Sequence, residues 1–124
     1  MTATLEREAE LFRTLAHPGR LAILHSLRQG PACVCHLTAM LRRPQAYISQ
    51  QLSLLKEAGL VESWKDGQFV YYRLRDLGAL GLIDLGARLV DDPRPSWPPP
   101  GVASAACDCP QCTSSARPAA VVER

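Results

Sequence analysis

Apolar residues recur at helical spacing along the first two-thirds of the chain, and the period changes only once before the last helix. Leu5, Ala9, Phe12 and Leu15/Ala16 share one face of a helix expected over residues 5–16, with Glu6, Arg7, Glu8 and Glu10 between them. His17-Pro18-Gly19 ends that helix, because Pro18 cannot continue the hydrogen-bond ladder. Leu21, Leu24 and Leu27 mark the buried face of a second helix over about residues 20–28, closed by Gln29-Gly30-Pro31. A short third helix over about 33–41 turns Leu37, Met40 and Leu41 inward. Arg42-Arg43-Pro44 breaks it, and Pro44 suits the first turn of the next helix, where a missing N–H costs nothing. Ile48, Leu52, Leu55 and Leu60 give that helix its stripe, and Gly59 is expected as a left-handed residue just past its end.

At residues 60–64 and 69–74 the sequence turns to β-branched and aromatic residues, with Lys65-Asp66-Gly67-Gln68 between the runs. Asp66-Gly67 is a strong hairpin signal, since glycine supplies the positive φ of the turn. A last helix is expected over about 77–90, with Leu77, Leu80, Ile83, Ala87 and Val90 inward, against the helix-weakening effect of Gly78, Gly81 and Gly86. From Asp91 the composition shifts: seven of the ten prolines lie there. The expected organisation is therefore one domain over residues 1–92 and a flexible Pro-rich, Cys-containing tail over 93–124.

A net charge of +2 argues for no partner by itself, but between Leu41 and Arg75 six Lys/Arg face three acids. That local excess favours a phosphate backbone. No apolar run is long enough to span a membrane, and residues 1–10 carry no signal-peptide core, so a cytoplasmic protein is expected. Reducing cytosol makes five clustered cysteines a pointer to metal or redox chemistry rather than to a disulfide framework. No Ser/His/Asp arrangement or phosphate loop suggests an enzyme.

The order helix, helix, short helix, turn, helix, hairpin is that of a winged helix-turn-helix: mainly α with a β-hairpin wing. Its longer helix enters the major groove with its N-terminal residues toward base edges. Those residues are Gln45, Ala46, Tyr47, Ser49, Gln50 and Ser53. Gln can bridge adenine N6 and N7, Ser can donate or accept, and Ala can meet a thymine methyl. Arg42, Arg43 and Lys56 are expected on phosphates, and Lys65 and Gln68 of the hairpin tip on the adjoining groove or backbone.

The run Leu11-Phe12-Arg13-Thr14-Leu15-Ala16-His17-Pro18-Gly19-Arg20-Leu21-Ala22-Ile23-Leu24 resembles the opening of ArsR/SmtB-type metalloregulators. Ile48-Ser49-Gln50-Gln51-Leu52-Ser53-Leu54-Leu55-Lys56-Glu57-Ala58-Gly59-Leu60-Val61 and the wing from Asp66 to Leu74 are similar too. The resemblance covers roughly residues 5–90. It implies a homodimeric repressor of double-stranded operator DNA, released by an inducer metal, with the first and last helices forming the dimer interface. Gln50-Gln51 departs from the histidine many members carry, a change expected to alter operator choice.

The candidate ligands are Cys33, Cys35, Cys107, Cys109 and Cys112. Thiolates select soft or borderline ions. Residues two apart in a helix point about 200° from each other, so Cys33 and Cys35 share an ion only if Cys33 lies at the frayed start of its helix, where the dipole also favours thiolate. Capture there is expected to strain the first helix of the DNA-reading unit. The alternative is a pair of buried small hydrophobes; a Pro/Ser/Ala-rich tail has no core to hide the other three.

Cys33-Val34-Cys35-His36-Leu37 resembles the Cys-Val-Cys-Asp-Leu motif of the family's third helix. In arsenic-sensing members another cysteine follows three places later, where this chain has Thr38. In cadmium- and lead-sensing members an N-terminal arm completes the site, and here that arm has no cysteine; the tail trio is the replacement. His36 stands in the aspartate position, more as a surface or capping residue than as a ligand. The family's zinc site on the last helix needs histidines that residues 77–92 lack. The expected inducer is therefore Cd(II) or Pb(II), then As(III) or Sb(III), with Zn(II) less favoured and no permanent cofactor. The rival reading is a thiol-based redox or persulfide-sensing repressor on the same fold, since Cys109-Pro110-Gln111-Cys112 is a CxxC.

Overall fold

The computed structural model describes residues 2–91. Its elements are α1 (Ala3–Leu15), α2 (Pro18–Ser26) with a 3₁₀ turn (Leu27–Gln29), β1 (Ala32–Cys33), α3 (Val34–Leu41), α4 (Gln45–Glu57), β2 (Val61–Asp66), β3 (Phe69–Leu74) and α5 (Gly78–Leu89). The three strands form one antiparallel sheet in the order β1-β3-β2. The boundary between 92 and 93 and the whole tail lie outside the described residues.

His17-Pro18-Gly19 does more than stop α1. His17 is extended, its Nδ1 accepts from the Gly19 N–H at 3.0 Å, and Pro18 opens α2 two residues earlier than the apolar spacing predicts. A side-chain acceptor at the N-cap and a proline at the first helical position both suit a helix start. At the end of α4, Gly59 takes φ +81° as expected. Its N–H bonds the Lys56 carbonyl and that of Leu60 the Leu55 carbonyl, both at 3.0 Å. This pair of bonds is a Schellman closure, and it redirects the chain into β2.

Two corrections concern the sheet. The hairpin turn is Gly67-Gln68, because Asp66 pairs with Phe69. Gly67 alone of the two central residues has positive φ, which fits a type II′ turn rather than one centred on Asp66-Gly67. The other correction is β1: Cys33 belongs to a two-residue strand, pairing with Tyr71, and α3 begins at Val34.

The core gathers under α4. Ile23, Leu24, Leu37, Ile48, Leu52 and Leu55 are fully enclosed, joined by Leu74 and Ile83. The terminal helices depart from expectation. Leu5 and Phe12 of α1, and Leu77, Leu85, Leu89 and Val90 at α5, remain exposed in the single chain. Leu15 and Ile83 of the same helices are buried in the core, with Leu11 and Leu80 packed on it, so each terminal helix is only partly covered by the described residues.

Candidate nucleic-acid interface and thiol site

α3 ends on Arg42, which adopts a left-handed conformation (φ 56°, ψ 46°) and donates its N–H to the Thr38 carbonyl at 2.9 Å. Pro44, extended at ψ 149°, then aims the chain into α4, where its carbonyl takes the Ile48 N–H at 3.1 Å. This turn leaves Arg42, Arg43, Gln45, Ala46, Gln50, Ser53 and Lys56 exposed and Ser49 half-buried. Lys65 and Gln68 are exposed at the wing tip. Lys56 Nζ donates to Ser63 Oγ at 2.8 Å, which ties the end of α4 to β2.

Tyr47 is placed differently from the other base-facing candidates. It is half-buried, its ring 6.4 Å from that of His17, and a Cβ at Gly19 would overlap its hydroxyl. The Arg43 guanidinium lies over the same ring, 5.1 Å from its centre. Tyr47 therefore seats the front of α4 on the start of α2 and steadies an arginine. Gln51 also turns inward: it is buried, and its Oε1 accepts from Arg20 at 2.9 Å. The expectation that Gln50-Gln51 together alter operator choice holds no further for Gln51, whose side chain is engaged inside the fold. Arg20 also donates to the Thr14 carbonyl at 2.7 Å, so one guanidinium connects α1, α2 and α4.

The thiols sit at the other end of the same helix-turn-helix. Cys33 is the N-cap of α3, extended at φ −87° and ψ 166°, and its sulfur accepts from the His36 N–H at 3.4 Å. Because Cys33 stands outside the helix, its Sγ comes within 3.1 Å of Cys35 Sγ with α3 intact. Cys33 is 2% exposed and Cys35 half-buried. Cys35 is disulfide-bonded, so its sulfur becomes a thiolate ligand only after reduction. Trp64, Phe69 and Tyr71 of the wing pack around the two sulfurs. The period-2 pattern of β3 marks Phe69 and Tyr71 as one-sided, but nothing local reveals that this side faces cysteines.

Two adjacent sulfurs suit a thiophilic ion and do not complete its coordination. Among the described residues no group of three or more His, Cys, Asp or Glu is arranged to hold a metal. Cys107, Cys109 and Cys112 lie outside the described residues. No described helix is long and apolar enough to cross a membrane.

A short helix, a left-handed turn, a longer helix with an exposed polar front and a following β-hairpin together define a winged helix-turn-helix protein. The chain belongs to the ArsR/SmtB family of transcriptional regulators: the model for "Bacterial regulatory protein, arsR family" matches residues 17–63. It is 44% identical over 72 residues to the HTH-type transcriptional repressor SmtB of Mycobacterium tuberculosis, a stretch covering 58% of this chain and 53% of that protein, about half its length. It is 34% identical over 82 residues to the cadmium resistance transcriptional regulatory protein CadC of Listeria innocua, covering 65% and 69%. The homodimeric winged helix-turn-helix DNA-binding domain Mb0332 of Mycobacterium bovis superposes with a TM-score of 0.66 at 31% identity, over 73% of this chain and 83% of that one.

Proposed function

We propose that this protein is a cytoplasmic, homodimeric repressor that holds operator DNA through α4 and the wing and lets go when a thiophilic ion is captured at Cys33 and Cys35. Cys107, Cys109 and Cys112, carried by a tail over residues 93–124, complete the sulfur set. The observation that carries this reading is the 3.1 Å approach of two sulfurs at the N-cap of the first helix of the DNA-reading unit. CadC, a relative named for cadmium resistance, supports Cd(II), and Thr38, in place of the further cysteine of the arsenic pattern, puts Cd(II) or Pb(II) ahead of As(III), Sb(III) or Zn(II). Arg42, Arg43, Lys56 and Lys65 meet phosphates, while Gln45, Ala46, Ser49, Gln50 and Ser53 read bases. Homodimeric Mb0332 supports the dimer, with the exposed stripes of α1 and α5 as its interface.

Cys35→Ser tests the assignment in a gel shift with reduced protein. The variant is expected to bind operator as the parent does and to stay bound when Cd(II) is added. Release of the variant at the parent's Cd(II) concentration removes Cys35 from the site.

The disulfide at Cys35, with the Cys33 sulfur beside it, favours a second reading, a thiol-redox or persulfide sensor. In that case a peroxide or polysulfide takes two electrons from a pair of thiols and the protein leaves its operator with no ion bound. Release by Cd(II) under reducing, oxygen-free conditions supports ion sensing; release by oxidant alone supports the second reading.

A further inference from the structure

We infer that ion capture at Cys33 and Cys35 is transmitted to DNA through the wing, with Trp64 as a positioning residue, an inference that rests on the ion-sensing reading above. Cys33, Tyr71 and Trp64 occupy one row across the sheet, because Cys33 pairs with Tyr71 and Tyr71 with Trp64. Directly opposed residues in antiparallel strands share a face, with Cβ atoms about 4.5–5.5 Å apart. The Trp64 and Tyr71 rings are 5.7 Å apart. The Arg73 guanidinium lies 5.1 Å from the Trp64 ring and its Nε donates to Glu62 at 2.7 Å, extending the contact along the hairpin.

Cys33 and Tyr71, 2% and 1% exposed, form a cluster of their own beside the main core, with Cys35, Trp64 and Phe69 packed on it. Two thiolates on one tetrahedral zinc ion stand about 3.8 Å apart for metal–sulfur bonds of about 2.3 Å, and the larger Cd(II) holds them farther apart. With Cys35 in its disulfide the sulfurs are 3.1 Å apart, so capture after reduction spreads them. Cys35 is anchored in α3 and Cys33 in the ladder against Tyr71. A close-packed cluster passes such a shift on rather than absorbing it. The shift then passes through Tyr71 to the hairpin, whose tip carries Lys65 and Gln68. This route needs no unwinding of α3.

The test uses the full-length reduced chain and Cd(II) as the probe. Trp97→Phe leaves Trp64 as the remaining tryptophan of the two in the chain. In this background Trp64 emission is expected to change in step with the thiolate-to-cadmium absorbance, and both changes to vanish with Cys33→Ser. Trp64→Ala in the otherwise native sequence is expected to form the same absorbance band at the same Cd(II) concentration, yet to need about tenfold more Cd(II) to leave the operator, an ordinary size for a coupling between sites. Trp64→Phe should restore release, which separates packing from any need for the indole. An absorbance band without an emission change, or parental release by Trp64→Ala, overturns the wing route and leaves ion sensing standing. No absorbance band at all overturns both.

Discussion

At the residue scale, the front of the recognition helix depends on what is missing from Gly19. The absent Cβ is the space that the Tyr47 hydroxyl occupies, and His17 caps α2 at the same spot. Gly19→Ala is expected to force the Tyr47 ring outward and cost about 1–3 kcal/mol, the usual range for overpacking. Adding Tyr47→Phe removes the overlapping hydroxyl and should recover part of that loss. A urea-denaturation double-mutant cycle measures the coupling, and strictly additive effects would show that the two residues do not compete for this space. The same packing explains why Tyr47 differs from its neighbours Gln45 and Ala46: it belongs to the seat of α4 as well as to its exposed front.

Division of labour becomes visible at the scale of elements. α4 presents uncharged polar groups at its front, while the positive charges stand around it at Arg42, Arg43, Lys56 and the wing tip Lys65. Base contacts discriminate between sequences, and phosphate contacts do not. Gln45→Ala should therefore lower operator affinity by about 1–3 kcal/mol and narrow the gap between operator and unrelated DNA. Lys65→Ala should weaken both equally and reduce the salt slope by about one. A competition titration at several salt concentrations reads both, and an unchanged salt slope for Lys65→Ala would place the wing tip away from the backbone. β1 matters at the same scale. Two residues suffice to bind the start of α3 to the wing, so that a site at Cys33 touches both halves of the DNA-reading unit.

For the whole molecule, the unpartnered apolar surface decides the assembly. Leu77, Leu85, Leu89 and Val90 leave much of their area in water, as do Leu5 and Phe12 on the other terminal helix. Fully burying one such side chain contributes about 1.5–3 kcal/mol, and a two-fold interface counts each residue twice. Leu89→Glu, at the most exposed of these positions (79%), should turn a dimer into a monomer at micromolar concentration and weaken operator binding with it. Sedimentation velocity reports the first effect. A variant that stays dimeric would put the interface elsewhere, because a carboxylate cannot be buried there without a partner.

Sequence alone determined the elements whose signals are local. The stripes of the central helices, the Gly59 stop and the strand-period switch all act within a turn or two of chain and are where the pattern put them, while Pro44 stands one place earlier than expected, as the N-cap of α4 rather than in its first turn. It also determined the family and the polar front of α4. Tertiary structure decided what depends on distant partners. A two-residue strand has no period to read, so the pairing of Cys33 with Tyr71 was invisible, and with it the aromatic surroundings of the sulfurs. Equally, helical spacing marks Gln51 and Tyr47 only as members of α4; Arg20 and the bare backbone of Gly19, brought in by α2, turned them inward. Non-local packing selects among faces that local physics leaves equivalent.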